Sequence, residues 1–255
     1  GTMGQARAQI TVDQGNDSFP LKLNFVGDIM IARRYEDAGG ILETQGIDAL
    51  FEPTRGLLGD AADLSIANLE CVMTINGEEH PTKSVTYKGR PEYVTALADA
   101  GIDLVSLANN HTLDFGLLGL QTTQAALAAN DILYSGSGED SDEAYQPIFT
   151  NNLGVSIAWL ANCDRTGQYN NYQPYLNAGY NKPGFAYLTP YYLLQQISAV
   201  RDVADLVVME MHAGSEYSRA PGAGYDRYFG PDVPPDEWVA PLEIISNMDL
   251  EDDWE

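Results

Sequence analysis

Four apolar runs in this 255-residue chain end in side chains that can bind a cation or move a proton. Asp28 follows "NFVG", Glu70 follows "SIANL", Asn110 and His111 follow "VSLAN", and His212 follows "VVMEM" with Glu216 shortly beyond. Carboxylate, amide and imidazole donors without thiolate suit a hard or borderline divalent ion such as Mn2+, Fe2+, Zn2+ or Mg2+. Such an ion polarises a phosphoryl or acyl group and activates water, and an imidazole beside it can protonate the leaving oxygen. His111 is the candidate for that proton. Taken singly, each residue has a plainer role as a turn former, a helix cap or a hydrogen-bonded structural histidine. Their recurrence after successive apolar runs is what favours a common site.

Those runs must be strands if their ends are to meet. "LKLNFVGDIM" alternates apolar and polar residues from Leu21 and reads as a strand ending at Gly27-Asp28. "DLSIANLE" (63–70), "IDLVSLANNH" (102–111), "DILYSGSG" (131–138), "GVSIAWLANCD" (154–164) and "DLVVMEMH" (205–212) read as further strands. Between them lie helical segments around 55–62, in "RPEYVTALADAG" (90–101), in "LLGLQTTQAALAAN" (117–130) and in "YYLLQQISAVRDVA" (191–204). Pro91 suits a first helical turn and Gly101 a C-terminal cap. The alternation predicts an α/β layered fold with a largely parallel sheet, in which ligands collect beyond the carboxyl ends of the strands.

Composition removes several classes of partner. With 37 acidic against 13 basic residues, a net charge of −24 disfavours nucleic acid and anionic membrane surfaces. No run approaches the ~20 apolar residues of a membrane span. A nucleophile elbow, a phosphate-binding glycine loop and a dinucleotide fingerprint are all missing. Lys83, Lys88 and Arg90 in "TKSVTYKGRP" form the densest basic patch, which is either an exposed strand edge or an anchor for an anionic substrate group. Cys71 and Cys163 read as two buried thiols, their pairing in a disulfide being undecided by sequence.

Residues 1–20 read as a disordered N-terminal extension, and "ARAQ" within them resembles the downstream edge of an export-signal cleavage site. "DRTGQYNNYQPYLNAGYNKPGFAYLTP" (164–190) is a long Tyr/Asn-rich excursion. The tail from Pro231 to Glu255 has nine acidic residues and no basic one, as befits a solvated segment.

In order, "NFVGDIM", "SIANLE", "KSVTYKGRPEYVTALADAGIDLVSLANNHTLDFG", "ILYSGSG" and "VVMEMHAGSEY" resemble the bacterial capsule synthesis protein family, CapA-like, associated with poly-γ-glutamate capsules. The resemblance covers about Leu21 to Tyr217, and its most specific parts are Asn-Asn-His-x-x-Asp-x-Gly (109–116) and His-x-Gly-x-Glu-Tyr (212–217). That family is similar to the calcineurin-like metallophosphoesterases. The resemblance implies a layered α/β sandwich, incomplete at the C-terminus, with residues 21–217 as the domain and 218–255 as an acidic insertion or a truncated part of it.

It further implies Asp28, Glu70, Asn110 and His212 as ligands of a divalent metal. His111 becomes the group that contacts a phosphate or protonates its leaving oxygen, and Glu216 and Tyr217 part of the substrate site. An anionic polymer or phosphoester is the implied substrate, envelope assembly proteins are the implied partners, and the location is extracytoplasmic. A non-enzymatic polymer-binding role is the alternative, with Lys83, Lys88 and Arg90 as its groove. Two departures stand out: Met30 occupies a place where phosphoesterases carry a metal-binding histidine, and the Gly-His-His-Pro-His-like segment of the family does not occur in these 255 residues.

Overall fold

A computed structural model describes residues 21–214, except for Thr82, Arg165, Thr166, Tyr169, Asn170 and 173–175. The N-terminal extension, Glu216, Tyr217, the acidic tail and part of the Tyr/Asn-rich excursion lie outside the described residues.

Seven strands carry the architecture: β1 Leu23–Ile29, β2 Leu64–Leu69, β3 Leu104–Ser106, β4 Leu133–Ser135, β5 Ile148–Asn152, β6 Val155–Cys163 and β7 Leu206–His212. The first four form one parallel sheet in the order β1-β2-β3-β4. The others form a second sheet, β7-β6-β5, in which β7 runs parallel to β6 and β5 is the antiparallel partner of β6. Three main helices, α1 Val94–Ala100, α2 Gly116–Ala129 and α3 Pro190–Val200, connect them.

Strand parity sorts the side chains into layers, because successive residues face opposite sides of a sheet. Leu64 and Ile66 of β2, Leu104 of β3 and Leu133 of β4 meet Ile157 and Trp159 of β6, so the two sheets pack face to face. On the outer side of the first sheet, Ala67, Leu69 and Val105 pack on Val94, Leu97 and Ala100 of α1 and on Leu120 and Leu127 of α2. On the outer side of the second, Ala158 and Leu160 pack on Val200 and Ile197 of α3. The result is an αββα sandwich. All six residues of β2 are buried, as expected of a central strand covered on both faces.

Local signals account for the helix ends. α1 follows the turn opened by Pro91 and stops at Gly101, whose φ of 92° is open to glycine at little cost. Thr189 caps α3 by accepting a hydrogen bond from the Tyr192 backbone N–H, with Pro190 in the first turn. The helix expected over 55–62 is limited to Arg55–Leu58, and α3 ends at Val200 rather than near residue 204. β1 runs one residue past Gly27-Asp28, with its register against β2 interrupted between Phe25 and Asp28. Cys71 and Cys163 are both buried.

Candidate metal centre

Asp28 lies near the end of β1, Glu70 directly after β2, Asn110 and His111 four and five residues after β3, and His212 ends β7. The first three segments come from the first sheet and His212 from the second, so the carboxyl ends of the facing sheets converge. One ligand atom from each of Asp28, Glu70 and His212 falls within a cluster spanning 4.8 Å. His212 Nδ1 is 3.9 Å from Asp28 Oδ1, and its Nε2 is 3.7 Å from Glu70 Oε1. Asn110 Oδ1 joins the cluster at 2.8 Å from His212 Nε2. Two carboxylates and an imidazole within this span, with an amide oxygen beside the imidazole, fit a divalent ion with oxygen and nitrogen ligands.

His111 stands at the side of this cluster, its Nε2 3.9 Å from Glu70 Oε1. Its Nδ1 is 2.7 Å from Asp114 Oδ2, and Tyr87 lies against the ring with centroids 4.6 Å apart. Asp114 is fully buried and is held from several directions: Lys83 Nζ contacts its Oδ1, and the Tyr87 N–H donates to Oδ2 at 2.5 Å. The short turn Thr112-Leu113 sets His111 and Asp114 three residues apart and facing.

Several residues that serve the cluster went unnoticed in the sequence. Asn68 Nδ2 donates to Asp28 Oδ1 at 2.7 Å and lies 3.2 Å from His212 Nδ1, which links a strand of each sheet. Asn68 Oδ1 in turn accepts from Asn109 Nδ2 at 2.9 Å, and Asn109 also donates to the Leu69 carbonyl. The Asn109 side-chain oxygen accepts the His111 backbone N–H at 3.0 Å. The signal was present: Asn68 interrupts a run whose every residue is buried, and a buried amide needs partners. Glu210, a half-buried acid in β7, also went unmarked. It shares the face of His212 by strand alternation, and burial pushes its carboxyl up to about 7, with Asp28 adding to the rise and the Ser106 backbone N–H opposing it.

The basic residues part company. Lys83 turns inward, its side chain only 2% exposed, and burial pulls its ammonium below the usual lysine value while Asp114 acts in the other direction. Lys88 lies with Nζ 4.6 Å from the centroid of the Phe115 ring. Arg90 pairs with Glu36 at 3.3 Å on an exposed surface. The expected patch is therefore three separate environments, one of them buried. Glu216 and Tyr217, four and five residues past His212, lie outside the described residues.

An αββα sandwich whose facing sheets bring carboxylate, amide and imidazole donors together at their strand ends defines a class of layered α/β proteins with a strand-end crevice. Within it, residues 22–229 match the model of the bacterial capsule synthesis protein PGA_cap, and the chain belongs to that family. It is 30% identical over 208 residues to the capsule biosynthesis protein CapA of Bacillus anthracis, covering 79% of this chain and 48% of that protein. It is 29% identical over 203 residues to the PGA biosynthesis protein CapA of Bacillus subtilis, covering 79% of this chain and 51% of that one. The chain spans about half the length of these curated relatives. The chain course overlaps in part with a crystal structure of a novel phosphatase from Mycoplasma pneumoniae, at 16% identity and a TM-score of 0.42 over 76% of this chain and 56% of that one.

Proposed function

We propose that this chain carries a divalent-metal site used for hydrolysis of a phosphoester or of a polymer bond in capsule or polyglutamate formation, outside the cytoplasm. The supporting observation is the clustering of Asp28, Glu70 and His212 within 4.8 Å at the meeting of the two sheets. Family membership supports the capsule setting, and no helix among the described residues is long and apolar enough to cross a membrane.

Asp28, Glu70, Asn110 and His212 would hold the ion. Bound there, it would supply a Lewis acid for the scissile group and acidify a nearby water. The protein's own contribution is positional. Asn68 aims Asp28 and His212 by hydrogen bonding to both, and Asn109 anchors Asn68 and the His111 backbone. His111 presents Nε2 on the Glu70 side while Asp114 accepts from Nδ1, so a proton handled during reaction is taken up and released at Nε2. Lys88 and Arg90 remain candidates for contact with an anionic substrate, whereas Lys83 is too enclosed for that role.

Calorimetric titration of the chain with Mn2+ tests the site. Saturable binding that weakens at least tenfold in both Asp28→Ala and His212→Ala is expected. Hydrolysis of p-nitrophenyl phosphate should require Mn2+ and fall about 10²- to 10⁴-fold in His111→Ala. Equal weak binding by the wild type and both ligand variants would sink the metal reading, and full activity of His111→Ala would remove that residue from the chemistry.

A further inference from the structure

We propose that Lys83 is the positioning residue of this site, clamping Asp114 and the Asn110 carbonyl so that His111 is held with its proton on Nδ1 and its Nε2 turned to the crevice. The inference rests on the reading of His111 as a working residue of the metal site.

Lys83 reaches the site from a segment remote from the 109–116 loop. Its Nζ donates to the Asn110 backbone oxygen and to Asp114 Oδ1, and lies 3.4 Å from His111 Nδ1. An ammonium has three donors and no acceptor, so it cannot receive a proton from the imidazole. Asp114 Oδ2 is therefore the acceptor for His111 Nδ1, at 2.7 Å, and the Tyr87 N–H donates to the same oxygen at 2.5 Å. With Oδ1 committed to Lys83 and Oδ2 to Tyr87 and His111, the carboxylate cannot rotate without breaking a contact.

The side chains of Lys83 and Asp114 are 2% and 0% exposed. A carboxylate so enclosed is tolerated only with its charge compensated, and Lys83 pairs with it alongside His111. The backbone repeats the connection: the His80 N–H donates to the Asp114 carbonyl at 2.8 Å, and the Lys83 N–H donates to the His80 carbonyl at 3.1 Å. One lysine thereby ties the segment 80–87 to both members of the pair Asn110 and His111. Asn110 offers an oxygen to the cluster and His111 a ring nitrogen, so a single clamp sets the spacing between ligand and proton carrier.

The test reads the imidazole directly in metal-free, 15N-labelled protein by long-range 1H–15N correlation at about pH 8. Wild type is expected to show His111 as the Nδ1–H tautomer. Lys83→Met should raise the Nε2–H fraction severalfold, and Lys83→Arg, which keeps charge and donors, should restore the wild-type pattern. Lys83→Gln takes the place of Lys83→Met if the latter does not fold, with the same outcomes. A folded neutral variant that keeps the wild-type tautomer, or a wild type already in the Nε2–H form, overturns the proposal. Mn2+ calorimetry on the same samples separates the two ideas: a tautomer change without metal binding in wild type leaves the clamp standing and fails the metal reading. In active protein, loss of the clamp should lower kcat with little change in KM.

Discussion

His212 Nε2 and Asn110 Oδ1 meet at 2.8 Å across 102 residues of chain, joining the last strand of one sheet to the loop after the third strand of the other. This hydrogen bond holds together two side chains that would otherwise present lone pairs to the same space. The two residues should therefore be energetically coupled. A double-mutant cycle of His212→Ala and Asn110→Ala, read by urea unfolding with chelator present, is expected to give a coupling of about 1 kcal/mol. Strict additivity would show that the contact does not form in solution.

Asn68 supports the cluster without itself offering a charged ligand. Substituting it by Ala removes the donor to Asp28 Oδ1 and the neighbour of His212 Nδ1 together. Mn2+ affinity is expected to fall about 10- to 100-fold, as for other hydrogen-bonding partners of ligands. Calorimetry checks this, and an unchanged affinity would mean that Asp28 and His212 are oriented by other contacts.

Gly136 sits between Ala108, just ahead of the 109–116 loop, and Ala161 of β6. A Cβ there would lie 2.6 Å from Ala108 Cβ and 2.8 Å from Ala161 Cβ, at a φ of 89° that L side chains rarely adopt. Gly136→Ala should cost about 2–4 kcal/mol of stability, from overpacking and left-handed backbone together. Chemical denaturation measures the loss. Because Ala108 precedes Asn109 and Asn110, weaker Mn2+ binding should accompany it.

Asp103 supplies a pH test remote from the metal cluster. Burial holds its carboxyl above the ordinary aspartate value, with the Ser65 N–H, 2.8 Å away, opposing the rise. The native state thus binds this proton more tightly than the unfolded chain, and the residue's contribution to stability declines as pH rises from the unfolded value through the raised native one. Asp103→Asn keeps an acceptor for Ser65 and removes the titration. Its Tm should exceed that of wild type at about pH 7 and converge with it near pH 3, below both values. A gain of the same size at both pH values would argue against an ionisation effect.

Much of this organisation could be read from local pattern. The apolar runs ending at Glu70, before Asn109-Asn110-His111 and at His212 are strands because their residues are buried on both faces or alternate between a sheet interface and a helix layer. Pro91 and Gly101 bracket α1 through their own backbone preferences. The three candidate ligands Asp28, Glu70 and His212 follow from the same logic, since side chains at strand ends share a rim.

What escaped local reading depends on which groups meet across the chain. Lys83, Lys88 and Arg90 are neighbours in sequence and form a basic patch on paper, yet an acid from the 109–116 loop draws Lys83 inward while Phe115 and Glu36 engage the other two. Asn68 looks like an imperfection in an apolar strand until Asp28, Asn109 and His212 arrive around it. The sequence by itself determined the strand-end donor types, because periodicity and backbone preference act over a few residues. Only the tertiary structure decided their mutual distances, the inward turn of Lys83 and the partners of Asn68. Those are set by long-range packing, where a buried charge or amide must find whichever complementary group the fold brings within hydrogen-bonding reach.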